Sequence, residues 1–235
     1  MDNLEKIEKK QNFGIIIISG ILSIIISKLP FGNFVLFPFA MFVTYLHESS
    51  HGLAAILTGG KLLSFTMQMD TSGLAYTQGG IGFIIISAGY LGSAIWGNLL
   101  LIASIKKLKG KIILSILSLF FLLFTLLFAR NLVAFFAGLF FATSIFLITK
   151  IKNNKIISFF LSFLAVQTCF NSINDIYDLI FLSRLDIKTD AHIISREMTA
   201  GIIPPIVFAL LWIIISGIIF FFTLKISLKS INTDK

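Results

Sequence analysis

The sequence predicts an all-α polytopic membrane protein with about seven transmembrane helices and one short interfacial β-hairpin. Two observations carry this prediction. The 235 residues are 57% hydrophobic and 13% charged, whereas a soluble domain has about 45–50% apolar and roughly 25% charged residues. The apolar residues also form blocks close to the roughly 20 residues that a helix needs to cross a bilayer. Residues 1–235 therefore read as a single integral membrane domain.

Each apolar block gives one expected span. The spans are 12–29, 34–58, 81–105, 111–129, 131–149, 156–184 and 201–224. The first is interpreted as a retained helix, because no small-residue cleavage site follows its apolar stretch. Arg130 and Asn131 separate two spans that could also be one broken hairpin. Pro204-Pro205 is expected to start or kink the last span.

The formal charge of +8 does not indicate a nucleic-acid partner, because the lysines lie in short runs between apolar blocks, at 106–111 and 150–155. If every span crosses, these runs share a face that the positive-inside rule makes cytoplasmic. The N-terminus, the hairpin, Arg130 and residues 185–200 then share the other face. The single Cys169 excludes an internal disulfide and a cysteine zinc site. This composition fits a multi-pass protein of a bacterial plasma membrane.

Residues 59–80 have the pattern of a β-hairpin bracketed by two glycine pairs. Apolar residues alternate with polar ones at the period of a strand: Leu63, Phe65, Met67 and Met69 against Ser64, Thr66, Gln68 and Asp70. Thr71-Ser72-Gly73 is a turn signal, and a second strand follows at 74–77. We expect this hairpin to lie at or dip into the membrane interface. A plain loop is the alternative.

The second span, residues 34–58, contains His47, Glu48 and His51 in the pattern HExxH. Residues four apart share a helix face, so both imidazoles can bind one metal ion. Zinc held by histidines and a carboxylate keeps a position open for water, and Glu48 is placed to take a proton from that water as it attacks a carbonyl. A charged group near mid-bilayer costs roughly 2.5–3.5 kcal/mol, so three need a common partner. Zn²⁺ is that partner; helix packing without metal is the alternative.

A third protein ligand is needed, and the sixth span, 156–184, supplies candidates. Polar residues recur there at spacings of three and four: Gln167, Asn171, Asn174, Asp175 and Asp178. Helical rise places the HExxH histidines roughly 10–16 Å from the shared face, and Asp175 and Asp178 roughly 9–14 Å from it. The matching depths favour Asp175, with Asp178 close behind.

Asp190 ranks third among the candidate ligands, behind Asp175 and Asp178. It starts near the interface and needs a re-entrant segment to reach the metal. His192, the remaining histidine, lies in the same polar connection. Asn171 and Asn174 are candidate substrate-binding residues. The alternative for the whole stripe is a hydrogen-bonded seam between helices. In the third span, Gly89, Ser93 and Gly97 give a small-residue face that another helix can approach closely.

The motifs taken together resemble the site-2-protease-like intramembrane metallopeptidases, most closely the small bacterial and plant branch without a PDZ domain. The resemblance rests on their order along residues 47–205: "HESSHGLAAILTGGKL", "TSG", "SAGYLGSAIWGN", "NDIYDLI" and "TDAHIISREMTAGIIP". It implies His47 and His51 as zinc ligands, Glu48 as general base, an aspartate from a later segment as third ligand, and a hairpin that guides substrate. The better-studied members present that aspartate in an Asn-Pro-rich stretch ending in Asp-Gly, which this sequence lacks.

The function expected is a zinc-dependent endopeptidase that cuts a peptide bond in or next to a transmembrane helix of a substrate protein in the bilayer. A metal-binding pseudoprotease or membrane scaffold is one alternative, and the intact Glu48 argues against it. An ion or proton transporter is the other. It should carry ionisable residues along a route through several helices, and the third to fifth spans have almost none except Arg130.

Overall fold

The computed structural model describes residues 2–105, 109–183 and 189–232, and in them the chain forms eight helices and one two-stranded sheet. The elements are α1 (Asp2–Lys28), α2 (Gly32–Leu57), β1 (Lys61–Met67), β2 (Gly73–Gln78), α3 (Gly82–Ile105), α4 (Gly110–Phe128), α5 (Leu132–Thr149), α6 (Asn154–Leu182), α7 (Asp190–Thr199) and α8 (Pro205–Asn232). Residues 106–108 of the first lysine run and residues 185–188 of the predicted polar segment lie outside the described residues.

Five of the described helices are long and apolar enough to cross a membrane, namely α3, α4, α5, α6 and the part of α8 from Pro205 to Ile226. A shorter apolar stretch, Gly14–Lys28, lies in α1, and α2 is not among the five. The protein is thus helical and suited to several membrane crossings, but the predicted count of seven is not confirmed. The last span starts at Pro205, as the proline pair predicts.

The sheet is the predicted hairpin, with β1 and β2 antiparallel. A bulge between Leu62 and Ser64 shifts the predicted alternation by one residue at the start of β1. Leu62 is consequently buried while Leu63 is exposed, contrary to the predicted pattern. Phe65 and Met67 are fully buried as expected, whereas Met69, beyond the strand, is exposed.

The hairpin does not lie flat across the end of α2 but runs back along that helix. Its turn reaches Thr44, whose hydroxyl donates a 2.8 Å hydrogen bond to the carbonyl of Thr71. Thr44 and the C-terminal Leu57 of α2 are separated by about 20 Å of helical rise. The turn therefore extends past the level of His47, deeper among the helices than an interfacial hairpin would.

The linker between α4 and α5 covers the outer edge of β1. The backbone N–H of Arg130 donates to the carbonyl of Phe65 (3.1 Å), and Ala129 forms a bridge with the same residue. The Asn131 amide donates to the Met67 carbonyl (2.6 Å) and accepts from the Met67 N–H (3.2 Å). Arg130 therefore lies on the same side as the hairpin, as predicted, and among the described strands the open edge is that of β2.

We expect Asn131→Ala to lower the free energy of unfolding by about 2–4 kcal/mol. The change removes both hydrogen bonds to Met67 and the N-cap of α5, where Asn131 accepts from the Ala134 N–H at 3.1 Å. Asn153→Ala is the matched control, because Asn153 caps α6 in the same way (2.9 Å to the Lys155 N–H) at an exposed site. Equal loss in both variants, by thermal or denaturant unfolding in detergent, would contradict the role given to the Met67 contacts.

The small-residue face of α3 is confirmed as a surface of close helix packing. Ser93 accepts a hydrogen bond from Ser172 of α6 (3.1 Å), and a Cβ added to Gly97 would stand 2.9 Å from the sulfur of Cys169. On α2, Tyr45 is fully buried between β1 and α4, edge-on to Phe65 and bonded through its hydroxyl to Thr125 (2.7 Å). These contacts hold α3 against α6, and α2 against β1 and α4.

Candidate metal centre and active site

The two HExxH imidazoles face each other on α2 and meet a carboxylate of α7. The Nε2 atoms of His47 and His51 are 3.1 Å apart. Asp190 Oδ2 lies 3.2 Å from His47 Nε2 and 3.4 Å from His51 Nε2. These three residues form a group whose possible ligand atoms all lie within 4.8 Å of one another. Their side chains are 14%, 9% and 21% exposed, so the centre is sheltered and still open to the cavity beside it.

Contacts with α3 orient both imidazoles. The Nδ1 of His51 lies 2.6 Å from the carbonyl oxygen of Ile85. Because a carbonyl oxygen only accepts hydrogen bonds, Nδ1 carries the proton and the lone pair of Nε2 faces the centre. The ring of Tyr90 stands edge-on to His47 at 4.7 Å and stacks on Trp212 of α8. A Cβ at Gly89 would lie 2.3 Å from His47 Nε2, so glycine is required for this approach of α3.

Asp190 reaches the imidazoles because α7 starts inside the helix bundle. Its first residue is Asp190, and its far end lies by the start of α3, where a Cβ on Gly82 would stand 2.5 Å from the Met198 methyl. Ala191 and Ile194 of α7 are fully buried against α6 and α8. Burial raises the pKa of the Asp190 carboxyl, but the neighbouring His51 and His47 outweigh it and hold that pKa below its ordinary value.

The other predicted site residues lie elsewhere. Asp175, the favoured third ligand, and Asp178 line the cavity but are not in the group with the two imidazoles. The depth argument placed them at the right level, but Asp190 arrives on a segment that folds back. Asn171 donates to the Gln167 carbonyl of its own helix (2.9 Å), and Asn174 is exposed; neither lines the cavity. His192 contacts Thr189 through Nδ1 (2.9 Å).

Glu48 of α2 is only 4% exposed, and its side chain faces β2. A Cβ on Gly73 would stand 2.5 Å from Glu48 Oε1, so the glycine lets β2 touch the carboxylate. From the sequence, Gly73 was predicted only as part of a turn, and Tyr90 was not predicted as a site residue. The signal for Gly73 was its place directly before a short strand that follows HExxH.

A cavity of about 840 Å³ opens beside the three residues. One wall is β2, through Gly73, Leu74, Ala75 and Thr77. Phe65 and Met67 turn their backbone groups toward the α4–α5 linker, so their partners Gly73 and Ala75 turn theirs away from β1. The open edge of β2 thus presents backbone N–H and C=O groups next to Glu48.

The three residues fit a zinc ion by chemistry and by spacing. Neutral histidine nitrogens and a carboxylate are a common donor set of catalytic zinc. With metal–ligand bonds of about 2.0–2.1 Å, tetrahedral geometry separates ligand atoms by about 3.3 Å, and the three separations here are 3.1, 3.2 and 3.4 Å. Such a site keeps a fourth position open, which the adjoining cavity would make accessible.

Two HExxH imidazoles, a distant aspartate and a buried glutamate are the residue set of a metallopeptidase site. The family model described as "Peptidase M50B-like" matches residues 15–223. The chain belongs to this family, which confirms the resemblance to site-2 proteases. Neither the curated proteins nor the solved structures compared with the chain include a match.

Proposed function

We propose that this protein is a zinc-dependent intramembrane endopeptidase that hydrolyses a peptide bond in or next to a transmembrane segment. The observation that carries the proposal is the meeting of His47, His51 and Asp190 beside the buried Glu48. Membership of the M50B-like family supports a metallopeptidase activity. The apolar helices and the lysine runs support a place in a bacterial plasma membrane, with the bilayer and a substrate helix as partners.

The proposed mechanism gives each residue one task. His47, His51 and Asp190 would hold the zinc ion, and bound zinc supplies a Lewis acid that polarises a carbonyl. Glu48 accepts a proton from the attacking water and passes it to the leaving amine. The contacts of Glu48 with β2 hold its carboxylate at the cavity wall, while the His51–Ile85 bond keeps the imidazole in the ligating tautomer.

The open edge of β2 supports a role in presenting substrate. A helix hides its peptide bonds in its own hydrogen bonds, so the substrate has to be extended before hydrolysis. The backbone groups of Gly73 and the carbonyl of Ala75 can pair with an extended segment, as in recognition by strand addition. The N–H of Ala75 donates a hydrogen bond to the Glu48 carboxylate. A substrate held there lies next to Glu48, because Gly73 touches that carboxylate.

Reconstitution with a panel of membrane-helix substrates tests the proposal. We expect about one zinc ion per chain by elemental mass spectrometry, and cleavage that stops with a chelator and returns when zinc is added. Zinc bound with no cleavage of any substrate would favour the scaffold alternative. Ion flux in proteoliposomes that a chelator leaves unchanged would favour the transporter. Well-folded protein that neither contains nor takes up metal would overturn the proposal.

A further inference from the structure

The cavity is acidic although the chain is basic. Of the 11 acidic residues in the sequence, six line it: Glu48, Asp70, Asp175, Asp178, Asp190 and Glu197. None of the described lining residues is lysine or arginine, in a chain of formal charge +8. The negative charge is therefore concentrated in one place.

The metal centre accounts for only part of this charge. Under the proposed function, on which this inference rests, the carboxylates of Asp190 and Glu48 would balance the charge of a divalent ion. Asp70, Asp175, Asp178 and Glu197 then remain. Among the described residues none of these four forms an ion pair, and Asp70 accepts hydrogen bonds only from Ser72, at 3.0 and 2.7 Å.

Asp175 and Asp178 are the two of these carboxylates that lie on a helix inside the bundle. They are three residues apart on α6, on one face of the helix, and both line the cavity. Asp175 is half-buried and Asp178 is exposed, and like charges grouped in one cavity favour a ligand that supplies a counter-charge. The open edge of β2 on another wall independently indicates a peptide ligand.

We propose that the cavity selects substrates carrying a lysine or arginine side chain within a few residues of the scissile bond, and that Asp175 and Asp178 receive this side chain. Basic residues are common directly beside transmembrane segments, so such a residue is available next to a helix end. The peptide bond pairs with β2 while the basic side chain extends toward α6. The two aspartates are specificity-determining residues.

Binding to the Glu48→Gln protein tests this selection without turnover. Two extended peptides differing by one Lys→Gln change are titrated against zinc-loaded protein in detergent. We expect the lysine peptide to bind at least about tenfold more tightly. The ratio should fall toward one when Asp175→Asn and Asp178→Asn are added, and D178K should favour a glutamate peptide instead. Zinc content verifies that each variant is folded.

Equal binding of both peptides, or a lysine preference that survives in the double variant, would overturn the inference. The ratio of kcat/KM for the same pair of sequences is the second readout in active protein, since a purely structural effect lowers both values alike. Cleavage of both sequences with equal kcat/KM would refute the selection and leave the protease standing. Selective binding without any cleavage would refute the protease and leave the selection standing.

Discussion

Asp190→Ala is expected to reduce zinc affinity by more than about 100-fold and to abolish cleavage. The change removes a direct ligand, and even the loss of an outer hydrogen-bond partner typically costs 10–100-fold. Asp190 is the carboxylate in contact with both imidazoles, at 3.2 and 3.4 Å. Elemental analysis after equilibration with a competing chelator measures the effect.

Asp175→Ala and Asp178→Ala are the matched controls, because both carboxylates line the same cavity outside the imidazole group. They should retain zinc at close to the wild-type affinity. The assignment of Asp190 would be wrong if Asp175→Ala lost the metal and Asp190→Ala kept it. That outcome would place the third ligand on α6, where the sequence analysis favoured Asp175.

Glu48→Gln is expected to keep the metal and lower kcat by about 10²–10⁴-fold, the usual range for losing general acid–base catalysis. Glutamine has nearly the same shape as glutamate and fits the space beside Gly73, but its amide cannot accept the proton of the attacking water. Single-turnover cleavage and zinc content, measured on the same preparation, separate catalysis from metal binding. Cleavage close to wild-type by a zinc-loaded variant would remove Glu48 from the mechanism.

The sequence predicted the parts of the site that depend on local periodicity. His47, Glu48 and His51 are within five residues of one helix, so their common face follows from helical spacing alone. The hairpin was predicted from alternation, although the bulge after Leu62 reverses which leucine is buried. A bulge adds one residue to a strand without a strong sequence signature, so the register at that point was not predictable.

The meeting of Asp190 with the two imidazoles was not predicted, because it depends on the path of the chain. The depth estimate assumed that residues after α6 stay near the interface, and under that assumption Asp175 is at the right level. The structure instead starts α7 at the imidazoles. A weak signal existed: Thr189 and Asp190 are typical of a helix start, and Ala191 and Ile194, three apart, form an apolar face that is buried here.

His47 and Asp190 are 143 residues apart in the chain. During synthesis α2 is made long before α7 and carries two of the three residues that could hold a metal ion, while α3 and α6, which flank the site, follow it. A chain made only as far as α6 therefore lacks one of the three residues of the group. The group is complete only with α7 in place, packed against α8 through Phe208 and Trp212. The order of the elements along the chain thus makes the complete group a property of the nearly full-length fold.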